Sequence, residues 1–169
     1  MIYQLLIYQL ADCREVKTME NTFYMRLYRT FHAQRGYLRA HLGLSGLGNG
    51  QPKLLVYLAG QGPCSQRQLA EYFEIDPAAV SRMLCTMEKS GFITRGINQE
   101  SRRSDRIELT DQGRRYAKIW RKNYQDMEER MLRGFSDQER EQFADYLLRS
   151  YQNFQNQKEE QVCETSSDC

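Results

Sequence analysis

"AAVSRMLCTMEKSGFITRG", residues 78–96, decides how this chain folds. Val80, Met83, Leu84 and Met87 recur at three- and four-residue spacing, the period of a helix with one apolar face. Asp76 and Pro77 precede the run. The aspartate can accept from free backbone N–H groups at a helix start, and the proline's fixed φ suits the first helical position. Gly91 ends the helix. From Phe92 the pattern changes to alternation: FITRGI, then the polar and basic NQESRRS, then DRIELT. These read as two strands joined by a basic tip.

Upstream lies a second short helix. Ser65 and Gln68 have the S-x-x-Q spacing of a capping box, and Leu69, Ala70 and Phe73 supply an apolar face. Only Glu74, Ile75 and Asp76 separate the two helices. Helix, tight turn, helix and hairpin make a winged helix-turn-helix whose second helix is free to enter a DNA major groove. Opposite the apolar set, that helix begins with Pro77, Ala78, Ser81 and Arg82. Small residues allow close approach to base edges. Arg82 can donate two hydrogen bonds to guanine, and Ser81 can serve a base or a phosphate. The N-terminus of this helix itself favours a phosphate, and Ser65, Gln66 and Arg67 at the start of the preceding helix are also assigned to phosphate. Arg95, Arg102 and Arg103 are assigned to the wing. Between residues 77 and 106 six Lys/Arg face three acids, an excess gathered where a wing would meet DNA.

The flanks read as helices. Lys17 to Leu42 carries Phe23, Leu27 and Phe31 at four-residue spacing, followed by Leu38 and Leu42. GLSGLGNG, residues 43–50, is a loop, and Lys53 to Ala59 is a short apolar helix with Pro52 in its first turn. Thr110 and Asp111 begin a long helix with Tyr116, Ile119, Trp120, Tyr124, Met127 and Met131 along one side. GFSDQE breaks it, with Ser136 and Glu139 forming another capping box, and Phe143, Leu147, Tyr151 and Phe154 continue to about Asn156. The resulting division is 1–47, an N-terminal dimerisation segment and long helix; 48–110, the winged helix-turn-helix; 111–156, C-terminal dimerisation helices; and 157–169, an acidic tail expected to be disordered. The segments 1–12, 111–134 and 136–156 carry more apolar side chains than one small winged domain could cover, which points to a second copy of the chain.

From GQPKLLVYLAGQGPCSQRQLAEYFEIDPAAVSRMLCTMEKSGFI, through ESRR, to IELTDQG, the chain resembles the MarR family of winged helix-turn-helix transcriptional regulators. The fold class expected is mainly α with a small β-hairpin wing, flanked by N- and C-terminal dimerisation helices. The resemblance implies a homodimer that binds a near-palindromic site on double-stranded DNA and is released by a small aromatic or anionic effector. The scattered cysteines read as reduced thiols in a cytoplasm, and a repressor is expected because repression needs only occupancy of a promoter. One departure stands out. The family's wing usually reads Asp-x-Arg, and here the positions are Ser101 and Arg103, so the arginine is kept without that carboxylate; a neutral hydrogen bond from Ser101, weaker than a charge-assisted one, or Asp105 from the other side are the braces left to it.

The effector residues proposed on this basis are Tyr24, Tyr28, His32, Tyr57, Tyr116 and Trp120. Packing in a core or interface is the competing account of the same aromatics. Of the five cysteines, Cys13, Cys64, Cys85, Cys163 and Cys169, none forms a CxxC pair, and Cys85 is placed on or near the inward face of its helix. A cysteine-based redox response and a winged-helix protein-interaction module stay open as alternatives. His32 and His41 form no metal-ligand cluster, and no cofactor is expected. No catalytic set or phosphate-binding glycine loop is visible: GLSGLGNG follows a helix rather than a strand, which argues against an enzyme. The apolar stretch at the N-terminus, with two glutamines in about ten residues, is too short to span a bilayer, and no membrane role is expected.

Overall fold

The computed structural model describes residues 22–43, 45–97 and 105–166, the backbone alone at 97, 105 and 157–166. In chain order the elements are α1 (Phe23–Ala40), α2 (Gln51–Gln61), α3 (Gln66–Phe73), α4 (Pro77–Lys89), β1 (Ile93–Ile97), β2 (Asp105–Leu109), α5 (Asp111–Met131) and α6 (Asp137–Ser166). The described residues divide after Met127 into two compact units.

Local chemistry explains the boundaries. Thr22 caps α1 by accepting from the Met25 N–H. At α3 the expected capping box is complete: Ser65 Oγ accepts from Gln68 N at 3.2 Å, and Gln68 Oε1 accepts from Ser65 N at 2.8 Å. Asp76 Oδ2 accepts from Ala79 N at 2.9 Å, with Pro77 opening α4. Gly91 takes φ 76° just beyond α4, a backbone region that suits glycine, and the chain turns there into β1.

β1 and β2 pair antiparallel in the register Ile93↔Leu109, Arg95↔Ile107 and Ile97↔Asp105. A one-residue bridge, Cys64↔Ile107, adds a third chain segment to the far edge of β2. The core of this unit lies beneath the hairpin and between the helices. Leu54, Leu55 and Leu58 of α2, Leu69 of α3, Val80, Leu84 and Met87 of α4, Phe92, Ile93, Ile107 and Leu109 of the hairpin, and Ala117 and Trp120 of α5 are all buried together. Gly113 lets α5 start against the hairpin base: a Cβ there would lie 2.0 Å from the Phe92 carbonyl oxygen.

Among the described residues, two apolar helix faces are exposed. On α1, Phe23, Tyr24, Leu27, Tyr28 and Phe31 are exposed, and no residue of that helix is buried. On α6, Tyr146, Leu147, Leu148, Tyr151 and Phe154 are exposed. In the second unit Ser136 and Glu139 form the expected capping box, and Arg140 reaches back to Glu129 through two hydrogen bonds of 2.9 and 3.2 Å. The helix α6 runs to Ser166, ten residues beyond the expected end near Asn156, so 157–166 is helical where disorder was expected. That stretch is polar but made largely of strong helix formers such as Gln161, Glu159, Glu160 and Lys158, with no glycine or proline. Low hydrophobicity therefore misjudged it. Among the described residues no helix is long and apolar enough to cross a membrane.

Candidate nucleic-acid interface

The start of α4 presents what a groove-reading helix needs. Val80, Leu84 and Met87 are turned into the core, which leaves Pro77, Ala78 and Arg82 exposed and Ser81 half-exposed. Arg82 holds no ion pair with any described residue, so its guanidinium is available for an external acceptor. The preceding helix is tied to this one: Gln66 Nε2 donates to the Pro77 carbonyl at 3.3 Å. This hydrogen bond joins the start of α3 to the start of α4, whose buried faces already share one core. Ser65 has its hydroxyl engaged in the cap, and Arg67 is exposed and paired with Glu71 at 2.6 Å. A phosphate would have to compete with that carboxylate for Arg67.

The wing arginines differ from one another. Arg102 and Arg103, with Ser101, lie outside the described residues. Arg106 is exposed and paired with Glu108 two residues along the same strand face. Arg95, assigned to DNA from its sequence, turns the other way. Successive strand residues point to opposite faces, so Arg95 shares the face of buried Ile93. Its Nη2 donates to the Ser81 carbonyl at 3.3 Å, and its Nε lies 3.4 Å from Glu88 Oε2 as an ion pair without a well-aligned hydrogen bond.

Cys85 also departs from expectation. It is exposed, not inward. Seven residues beyond Ala78 and three beyond Arg82, it belongs to the same outward stripe of α4. The buried thiol is Cys64, whose pKa burial pushes up to about 11. Cys13, Cys163 and Cys169 lie outside the described side chains.

The six proposed effector residues do not come together. Tyr24, Tyr28 and His32 stack along the exposed face of α1, with ring centroids 6.4 and 5.4 Å apart. Tyr57 packs on Tyr72 and Phe73, 4.4 and 5.4 Å away. Tyr116 packs edge-on against Phe92 at 5.0 Å. Only Trp120 lines a cleft of about 440 Å³ formed by α1, the start of α2 and α5. Phe31, Leu38 and Tyr124 are among its other apolar and aromatic walls, and Arg35, Arg39 and Lys53 supply positive charge. Burial, followed by the Arg35 charge, holds the Lys53 pKa below its usual value. Burial pushes the Tyr124 phenol up to about 12, so it stays a neutral hydrogen-bond donor. Sequence periodicity assigned each aromatic to a helix face but could not say which faces converge.

Comparison with known proteins agrees with this architecture. The MarR family model matches residues 47–104, from the end of the glycine loop into the wing. The HTH-type transcriptional regulator YdgJ of Bacillus subtilis (strain 168) is 32% identical over 112 residues, which cover 66% of this chain and 68% of that one. The chain belongs to the MarR family. It is thus a DNA-binding transcriptional regulator and not an enzyme. Two solved structures show the same fold. A MarR family regulator from Listeria monocytogenes, complexed with 26mer DNA, superposes with a TM-score of 0.76 at 19% identity, covering 81% of this chain and 91% of that one. Bordetella bronchiseptica BpsR, whose DNA binding is regulated by 6-hydroxynicotinic acid, gives 0.65 at 22% identity, covering 75% and 95%. The winged helix-turn-helix of this MarR-family chain is therefore α3, the turn at Glu74, α4 and the β1–β2 hairpin.

Proposed function

We propose that this protein is a cytoplasmic, homodimeric transcriptional repressor that holds a near-palindromic operator and leaves it when a small aromatic anion binds. The observation that carries the reading is the start of α4: Pro77, Ala78 and an unpaired Arg82 stand exposed on a helix whose other side is locked into the core. The 26mer DNA in the complex of the Listeria regulator supports the same class of partner for this chain. In this reading Ser65, Gln66 and Arg67 face phosphate, Ser81 and Arg82 face bases, and Arg102 and Arg103 enter the minor groove.

The dimer is supported by the apolar faces of α1 and α6, which nothing within the described chain covers. Large exposed apolar patches on a protein mark association surfaces. Two-fold symmetry would set the two α4 helices about 34 Å apart, one turn of DNA. Repression follows economically, since occupying a promoter requires no additional activating surface.

The effector reading moves from the scattered tyrosines to the α1–α2–α5 cleft. Its size falls within the roughly 300–1,000 Å³ typical of ligand sites. Aromatic walls beside three cations favour a flat molecule carrying a carboxylate, as the regulator of BpsR does. A route to α4 exists as well. Gln51, only 4% exposed, lies beside cleft residues Gly50 and Pro52; its Oε1 accepts from Gly48 N at 2.8 Å and its Nε2 donates to the Met83 carbonyl at 3.4 Å. A ligand that displaces the start of α2 would therefore pull on the recognition helix.

The test begins with purified protein and fragmented source DNA at near-physiological salt, with sequencing of what stays bound. Enrichment of a few near-palindromic promoter sites supports the repressor, and retention without a shared site refutes it. On the recovered operator, benzoate and hydroxynicotinate are then titrated. Lys53→Met should need several-fold more anion for release while binding operator as before; equal release would remove the cleft from the mechanism.

A further inference from the structure

We infer that Arg95 is the residue that positions the wing against the recognition helix, acting through Glu88 and the Ser81 carbonyl and not through DNA. The inference rests on the operator reading only for its effect on binding; the lock itself is a property of the protein alone.

The argument starts from the strand. Ile93 is the last buried residue of β1 among its described side chains, and Arg95, two positions further out on the same face, carries the outermost described side-chain hydrogen bond from the hairpin to α4. Beyond it the chain leads to the wing tip. The Arg95 side chain is 23% exposed, against 54% for Arg106 on the other strand. It meets α4 twice. Helical carbonyls point toward the C-terminus while helical side chains lean toward the N-terminus, so the Ser81 oxygen and the Glu88 carboxylate converge although seven residues separate them. A guanidinium has donors spread around a rigid plane and can engage two acceptors lying in different directions, whereas a lysine ammonium is a single compact charge. Opposite Arg95 in the register, Ile107 is fully buried, which holds the hairpin at this point from its other strand.

Ser81 and Arg82 are adjacent, so the lock grips α4 beside the residue proposed to read bases. The relative placement of major-groove and minor-groove contacts then depends on one ion pair. That gives Glu88 an unusual prediction. It is an acidic residue on the recognition helix, and general electrostatics says that neutralising it should strengthen attraction to DNA. As half of the lock, neutralising it should weaken binding.

Two measurements decide the matter. The first is amide hydrogen exchange of the DNA-free protein, comparing wild type with Glu88→Gln and Arg95→Lys. The lock predicts faster exchange in the β1–β2 hairpin, about fivefold as for loss of one partly shielded ion pair, with the helices of the core unchanged. Hairpin exchange equal to wild type in both variants overturns the inference whether or not an operator exists. The second is operator footprinting. Both variants should bind about fivefold more weakly and lose minor-groove protection while keeping major-groove protection. Tighter binding by Glu88→Gln with an intact minor-groove footprint, or full function of Arg95→Lys, would overturn it. Glu88 is 43% exposed on its side chain, so its substitution leaves the core packing in place.

Discussion

Replacing Gly113 by alanine tests how tightly α5 is set against the wing base. The added Cβ would lie 2.0 Å from the Phe92 carbonyl oxygen and 3.1 Å from Leu109 Cδ2. Ordinary carbon–oxygen contact requires about 3.3 Å, so the two backbones must part by roughly 1.3 Å. Neither side can yield freely. The Phe92 oxygen accepts from Thr110 N at 3.1 Å, and the Phe92 N–H donates to the Met87 carbonyl at 2.9 Å. Thr110 Oγ1 donates to the Gly91 carbonyl at 2.6 Å and accepts from Gly113 N at 3.0 Å. Loss of one such partly buried hydrogen bond costs about 1–3 kcal/mol, and overpacking adds about 1–3 kcal/mol. The expected loss is therefore about 2–5 kcal/mol, the upper end being less than the simple sum because the two relax together. With a urea dependence of about 2 kcal/mol per molar, the unfolding midpoint should fall by roughly 1–2.5 M. The assay is urea unfolding followed by circular dichroism at matched protomer concentration, since association would shift the midpoint. An alanine variant within about 0.3 M of wild type would refute the reasoning, because it would mean that the hairpin base and α5 can separate at little cost.

Two other outcomes are expected. Arg82→Ala should cost about 1–3 kcal/mol per half-site at the operator and relax the preference for one base pair, measured by fluorescence anisotropy on the operator and its point variants; unchanged affinity and preference would remove Arg82 from base reading. The second concerns acid. The Arg140 guanidinium holds the Glu129 carboxyl below its usual 4.5, and the Ser136 N–H and hydroxyl do the same for Glu139. A lowered folded pKa means that the stabilisation is complete above the ordinary carboxylate value and is lost as pH falls through the lowered one. The stability difference between wild type and Glu129→Gln should thus be steady above about pH 5 and shrink below pH 4.5, and parallel urea midpoints between pH 6 and 3 would contradict it.

Much of this architecture was legible because its signals are local. The Ser65–Gln68 and Ser136–Glu139 caps, the Asp76–Pro77 helix start and the alternation in FITRGI and DRIELT each need only a few neighbouring residues to be read. The Cys64↔Ile107 bridge was not legible, because its partner lies 43 residues away and a single bridging residue has no period. The placement of the aromatics was not legible for a related reason: Tyr57 and Trp120 both belong to apolar helix faces, but only the packing of helices decides that one meets Phe73 and the other borders a cleft. Arg95 and Cys85 are different. The alternation that marks β1 as a strand already places Arg95 beside Ile93, and the helical spacing that places Arg82 outward carries Cys85 with it. In both cases residue chemistry, a basic wing and a small apolar thiol, outweighed a periodicity that was present in the chain.

The near-neutral charge of the chain fits a DNA-binding protein once the partners of its arginines are considered. Arg67 faces Glu71 at 2.6 Å, Arg114 faces Asp111 at 2.7 Å, Arg106 faces Glu108, and Arg95 faces Glu88. An arginine already paired gives up a carboxylate when it takes a phosphate, so its net gain from any stretch of DNA is small. Sequence-independent affinity grows with the number of phosphates neutralised, and salt confines each exposed charge to a reach of about 8 Å. Among the described residues of α3, α4 and the hairpin, Arg82 stands outside these pairs, on the helix face where base edges would lie. Pairing Arg67, Arg95 and Arg106 lowers attraction to arbitrary DNA while leaving Arg82 available for the base contact proposed for it. The ratio of specific to non-specific binding, which governs occupancy of one site among many, then depends on the fit of α4 and on the wing held beside it by Arg95.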